Sequence, residues 1–157
     1  MDEKKILKGI KNLSKLYHIN YDDLISTISK KVNENYVPLE IFLIKDLNPL
    51  EAIVKYLKEN KSLKFSNISK LLDRDQRVIW VTYNNVKNKP KISVKSKILI
   101  PTEIFQDGNL SILESVVKYL KESYNLSLSE IARALERDPR NIWKVYNNSI
   151  KKLNEKK

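Results

Sequence analysis

Apolar residues recur along this chain at three- and four-residue intervals, the spacing of helices that bury one face. Ile6, Ile10, Leu13 and Tyr17 form one stripe, and Tyr21, Leu24, Ile25, Ile28 and Val32 form another. His18-Ile19-Asn20 interrupts the pattern between them, with Asn20 placed to cap the second helix. Further stripes follow at Leu50, Ile53, Val54 and Leu57, and at Leu113, Val116, Val117 and Leu120. Ile131, Ala132 and Leu135 make a shorter one, and Ile142, Tyr146 and Ser149 define the dry side of the last helix.

These stripes come in two matching sets. The chain reads Val37-Pro38-Leu39-Glu40-Ile41-Phe42 and restarts as Ile100-Pro101-Thr102-Glu103-Ile104-Phe105, an offset of 63 that holds without a gap through Asn85 and Asn148. Half of the 50 positions from 37 to 86 are identical to their counterparts. A match of that length and quality is a duplication, and with two copies each is expected to be a self-sufficient small domain rather than a solenoid turn. Each copy predicts an apolar tether and then three helices. Residues 1–36 have no counterpart and predict a helical pair that packs on the first copy or pairs with a second chain.

Polar residues at the helix starts sharpen these boundaries. Ser111 with Glu114 and Ser127 with Glu130 have the spacing of capping boxes, in which hydroxyl and carboxylate satisfy the free N–H groups of the first turn. In the first copy the corresponding helices open at Pro49-Leu50-Glu51 and at Phe65. Lys64 and Asn67 stand where the second box should be, so that helix is expected to be less well capped. Asp138-Pro139 and Asp75-Gln76 open the third helix of each copy, the aspartate as N-cap and proline suited to the first helical position.

The pattern Leu-x-x-x-Glu-Ile-Ala-x-x-Leu-x-Arg-x-x-x-x-Ile, from Leu126 to Ile142, resembles the helix-turn-helix of sigma-factor region 4, response-regulator and transposase DNA-binding domains. The resemblance spans Leu113–Ser149 and its twin Leu50–Val86. It implies a trihelical fold with a small residue where the second helix meets the third, a role for Ala132 and Ser69. It also implies that the third helix enters the major groove while the second crosses the backbone. The family often carries Gly in the turn, where the chain takes a left-handed conformation. Asp73 and Glu136 stand there instead, so the turn is expected to be rebuilt or lengthened.

Composition narrows the chemistry. There are no cysteines and one histidine, which excludes thiol nucleophiles, disulfides, ordinary zinc sites and Ser-His-Asp sets. Only Gly9 and Gly108 are available for a phosphate loop, too few to cradle one. Asp73, Asp75, Glu136 and Asp138 could be drawn as a metal pair, but N-capping already accounts for the aspartates. No enzymatic activity and no cofactor are expected. No run of about 18 apolar residues marks a membrane span, and Met1-Asp2-Glu3-Lys4 does not open a signal peptide, so a cytoplasmic, nucleoid-associated location is expected.

The net charge is +11. Lys87, Lys89, Lys91, Lys95 and Lys97 supply five of those charges between residues 87 and 99, where no acid intervenes. A basic connector between two modules suits a polyanion lying across both, or simply a solvated linker. Its 13 residues reach at most roughly 45 Å, enough for the ~34–36 Å between successive major-groove faces. Tandem copies joined this way favour directly repeated half-sites, whereas a dimer through the N-terminal helices would add a palindrome.

The expected fold is therefore all-α. A helical pair (1–36) precedes a first helix-turn-helix module (37–86), a basic linker (87–99) and a second module (100–157). The expected partner is double-stranded DNA, with a homodimer through residues 1–36. Candidate contacts are Gln76, Arg77 and Asn84 in the first copy and Arg140, Asn141, Lys144, Asn147, Asn148 and Lys151 in the second, with the five connector lysines. Arg suits the guanine edge and Asn the adenine edge; the competing role for Arg77 and Arg140 is an ion pair with Asp73 or Glu136. The asparagines serve phosphates or merely solvate the helix. Val78 and Val81 replace Asn141 and Lys144, so the first copy offers a drier face, for thymine methyls or for protein. Trp80 and Trp143 are expected in the core, under the first helix of each copy or against the tether, with base stacking as the alternative. His18 is a surface residue at a helix break. The functional reading is a sequence-preferring transcriptional regulator. Architectural DNA binding with little base preference, and protein interaction through the same helices, are the alternatives.

Overall fold

The computed structural model describes residues 3–94 and 98–155, and the side chains of Glu3 and of residues 30–35, Val32 among them, lie outside that description. Among the described residues the stripes become eight α-helices and one short ribbon, an all-α architecture. The chain divides into two compact units, Met1–Asn35 and Tyr36–Lys157.

The first unit is a helical hairpin of α1 (Glu3–Leu16) and α2 (Tyr21–Asn35). His18 takes a left-handed φ of 53° at the break, and Ser14 Oγ donates to the carbonyl of Ile19 at 2.7 Å, closing the turn. Asn20 Oδ1 accepts from the N–H of Asp22 at 2.8 Å, the cap expected from sequence. The hairpin leaves Ile6, Leu7, Leu13, Leu16, Tyr17, Ile19 and Ile28 exposed.

The second unit holds both copies of the repeat. Each tether forms a three-residue strand followed by a 3-10 turn: β1 (Tyr36–Pro38) leads into Leu39–Leu43, and β2 (Leu99–Pro101) into Thr102–Phe105. The first copy continues as α3 (Pro49–Glu59), α4 (Phe65–Leu72) and α5 (Gln76–Val86). The second continues as α6 (Ile112–Ser123), α7 (Leu128–Ala134) and α8 (Pro139–Asn154).

Capping decides where these helices begin. The boxes at Ser111–Glu114 and Ser127–Glu130 form, and Lys64 gives α4 no side-chain cap. Asn48 makes a third box with Glu51, with both bonds at 2.9 Å, so α3 is capped as well as its twin. Asp75 and Asp138 each accept N–H bonds from the first turn of their helices, at 2.8 Å to Arg77 and to Arg140.

The two copies are not separate beads on a linker. β1 and β2 pair antiparallel, Tyr36 opposite Pro101, Val37 opposite Ile100 and Pro38 opposite Leu99. Beneath the ribbon Phe42 meets Phe105 with ring centroids 6.4 Å apart. Both copies feed one continuous apolar cluster that includes Val37, Ile41, Val54, Ile79, Ile100, Val116, Ile131 and Ile142. The reason is physical: each tether is apolar, and three-residue strands satisfy their backbone groups only by pairing with one another. The connector is tied down where it leaves α5, by Asn60 Nδ2 donating to the carbonyl of Ile92 at 2.9 Å.

Candidate nucleic-acid interface

The turns that aim α5 and α8 have the same construction. Asp73 (φ 47°) and Glu136 (φ 48°) both take the left-handed conformation that the sequence leads one to expect of glycine. The next N–H reaches back to close the preceding helix, Arg74 to the carbonyl of Ser69 at 3.1 Å and Arg137 to that of Ala132 at 2.9 Å. This is the Schellman type of helix ending. In both copies the left-handed position is held by a residue other than glycine, and the closing bonds offset a strain of about 1–2 kcal/mol.

The turn before α5 is also gripped by the other copy. Arg74 donates through Nη1 to the carbonyl of Gly108 at 2.9 Å and through Nη2 to that of Leu110, while Asp73 Oδ2 accepts from the N–H of Gly108 at 3.1 Å. Gly108 is glycine for want of room: a Cβ there would stand 2.5 Å from Asp73 Oδ2 and 3.2 Å from its carbonyl oxygen. On the other side Leu135, Glu136 and Arg137 line one depression with Phe42, Leu43, Ile44, Lys45 and Leu47 of the first copy, without the matching bonds. Sequence reading passed over Arg74 and Arg137, and their identity at matched positions was the available signal.

Two further contacts fix the far ends of the outer helices. Lys55, buried, donates to Glu59 at 2.7 Å and to the carbonyl of Val86, the last residue of α5, at 3.1 Å. Lys152 of α8 donates to Glu114 at the start of α6 at 2.8 Å. Burial alone would raise the Glu114 carboxyl, but Lys152 and the bonds from Ser111 together hold it below its ordinary value.

At about 3.6 residues per turn, the buried Ile142 and Ser149 define one side of α8, and Arg140, Lys144, Asn147 and Lys151 project from the opposite ridge. Asn141 and Asn148 flank that ridge on one edge and Trp143 on the other. All seven are exposed. On α5 the same ridge carries Arg77, Val81 and Asn84, flanked by Val78 and Asn85 on one edge and Trp80 on the other; Gln76 is exposed at the helix start. Among the described residues neither Arg77 nor Arg140 is in an ion pair, so the salt bridges to Asp73 and Glu136 do not form.

The tryptophans depart from expectation. Trp80 is 55% exposed and Trp143 61%, so neither belongs to the core. Their helix position explains it: each follows a buried isoleucine, Ile79 or Ile142, by one residue, a step that carries it past the edge of the inward stripe. Asn84 and Asn147 donate to the carbonyls of Trp80 and Trp143, both at 2.9 Å, which binds the Trp–Asn edge to its own helix.

The connector lysines do not act alike. Lys87 and Lys91 are exposed, whereas Lys89 donates through Nζ to the carbonyl of Asp46 and is only partly accessible. Lys95 and Lys97 lie outside the described residues. Lys151 is exposed and stands 3.8 Å from Glu155, a weak pair that leaves its ammonium available. The structure thus gathers Arg140, Asn141, Lys144, Asn147, Asn148 and Lys151 on one helix face and Gln76, Arg77 and Asn84 on its counterpart. Among the described residues no helix is long and apolar enough to cross a membrane, and no cluster of three or more His, Asp or Glu side chains could hold a metal ion. Comparison with known proteins returns no matching family model, no curated protein and no solved structure.

Proposed function

We propose that residues 36–157 bind double-stranded DNA through two helix-turn-helix units, with α5 and α8 as the groove-entering helices, and that the protein is a sequence-preferring transcriptional regulator. One observation carries the reading. Arg and Trp recur at equivalent exposed positions on both helices, Arg77 and Trp80 against Arg140 and Trp143, with the half-buried Asn84 matched by the exposed Asn147, in copies that share only half of their residues. A large aromatic left in water twice, beside an unpaired guanidinium, is a contact surface rather than a packing residue. Arginine reads guanine, asparagine adenine, and the exposed lysines Lys87, Lys91, Lys144 and Lys151 neutralise phosphates.

The hairpin of residues 3–35 supports the homodimer. A unit this small rarely buries enough apolar surface alone, and it leaves Leu16 69% and Tyr17 65% exposed. A second chain is the natural cover. Val78, Trp80 and Val81, adjoining and exposed on α5, favour a second reading of that helix as a protein contact.

The chain has two tryptophans, both on these faces, so their emission reports binding directly. Titration with a selected duplex and with random duplex at several salt concentrations should give affinities that fall with salt, by a slope of about −0.9 per phosphate contacted. The selected duplex should bind at least about 10³-fold more tightly than random DNA. A salt-independent response would move the protein to the protein-binding class. A selected-to-random ratio near unity would leave architectural binding.

A further inference from the structure

A two-fold relation between the copies is written into residues 36–157. Residue 37 corresponds to residue 100 through the 63-residue offset, and in the ribbon Val37 lies opposite Ile100. The pair is therefore made of each other's equivalents, as a dyad passing through it requires. The same holds for Phe42 and Phe105, which meet across the interior at 6.4 Å. Both turns also face the opposite copy, but unequally: Arg74 is bonded to it, whereas Arg137 Nε is buried without a hydrogen-bond partner. The turn before α5 seats on Gly108–Leu110 of the second copy, and the turn before α8 seats beside Phe42–Leu47 of the first. A contact in which i meets j and j meets i is isologous, the geometry of a two-fold dimer, built here inside one chain.

We propose that one chain reads an inverted-repeat duplex site with two unequal arms, rather than the direct repeat that tandem modules on a linker favour. This rests on the DNA-binding reading above. A dyad carries α5 onto α8 with reversed chain direction, so the step α5 reads on one strand recurs on the other strand under α8. The shared Arg77/Arg140 and Asn84/Asn147 ask for common base pairs in both arms. The arms diverge where Lys144 and Asn141 face purine acceptor edges and Val81 and Val78 meet thymine methyls.

The test is selection of bound duplexes from a randomised library with the full chain. Affinities are then measured on the enriched arms rebuilt as inverted and as direct repeats, at half-site spacings of about 10 and 20 base pairs. The expected result is two related but unequal arms in inverted orientation, bound about 100-fold more tightly than the same arms arranged directly. The variant Val78→Asn, Val81→Lys changes only exposed side chains and should convert the enriched site into a symmetric palindrome. Enrichment of direct repeats or of one lone arm, with salt-dependent duplex binding intact, overturns the dyad reading and leaves DNA binding standing. Failure to bind any duplex above the level of an uncharged polymer control overturns both.

Discussion

Asp73 and Glu136 share a left-handed backbone but are held for different reasons. Both side chains are exposed, but the Asp73 carboxylate accepts from the N–H of Gly108, a bond with no counterpart at Glu136. Glu136→Gly should therefore stabilise the protein by about 0.5–1 kcal/mol in urea unfolding, by removing the left-handed penalty. Asp73→Gly should gain nothing or lose stability, because the strain it relieves is cancelled by the bond it deletes. Equal gains at both sites would show that the grip on Gly108 contributes nothing. Gly108→Ala belongs to the same contact: its methyl would push the Asp73 carboxylate off the N–H of residue 108 and should cost about 0.5–1.5 kcal/mol, the worth of that hydrogen bond. The carboxyl at Glu114 adds a pH dependence of known sign. Its folded value lies below the ordinary 4.5, so its contact with Lys152 adds stability above that pH and is lost as pH falls through the depressed value. Lys152→Met should cost about 1 kcal/mol at pH 7, the half-exposed ammonium discounting the charged bond. The mutant and native unfolding midpoints should converge in acid.

Capping made most of the helices legible: an asparagine, serine or aspartate at the start of α2, α3, α5, α6, α7 and α8 states where the free N–H groups are satisfied, and that information is local. Asn48 is less legible, because Pro49 already marks the first helical position and the cap stands one residue before it. The ribbon carries no such signal. Three residues are too short to show alternation, each strand ends on a proline that usually argues against a strand, and the partner lies 63 positions away. The candidate site was legible as a set of residue types on α5 and α8. The placement of its tryptophans was not, because residue identity was weighed above helix position. That difference is measurable at the level of the helix. Trp80→Ala and Trp143→Ala should leave the unfolding free energy within about 0.5 kcal/mol of the native value, as exposed substitutions do. A core tryptophan would cost about 3–5 kcal/mol instead. The same variants should weaken duplex binding measured by anisotropy of labelled DNA, and normal binding by both would remove the tryptophans from the interface.

A shared core changes what counts as the folding unit. Duplication alone suggests that each copy could stand by itself, with its own three helices and its own caps. The structure places Ile100 and Phe105 of the second copy under cover of Val37 and Phe42 of the first, and all four are buried. A fragment beginning at Ile98 would expose that apolar surface together with an unpaired strand edge, a combination that recruits another chain. The dyad says which one. Because Val37 and Ile100 are equivalents, a second copy of the fragment can take the place of the first half, pairing Ile100 with Ile100 and Leu99 with Pro101. The fragment 98–157 should therefore sediment as a dimer at micromolar concentration, and its thermal midpoint should rise with concentration as mass action requires. Phe105→Asp in the fragment should abolish the dimer and the cooperative transition together. A fragment that remains a folded monomer with a concentration-independent midpoint would mean that each copy carries a sufficient core, and that the ribbon joins two finished domains instead of completing one.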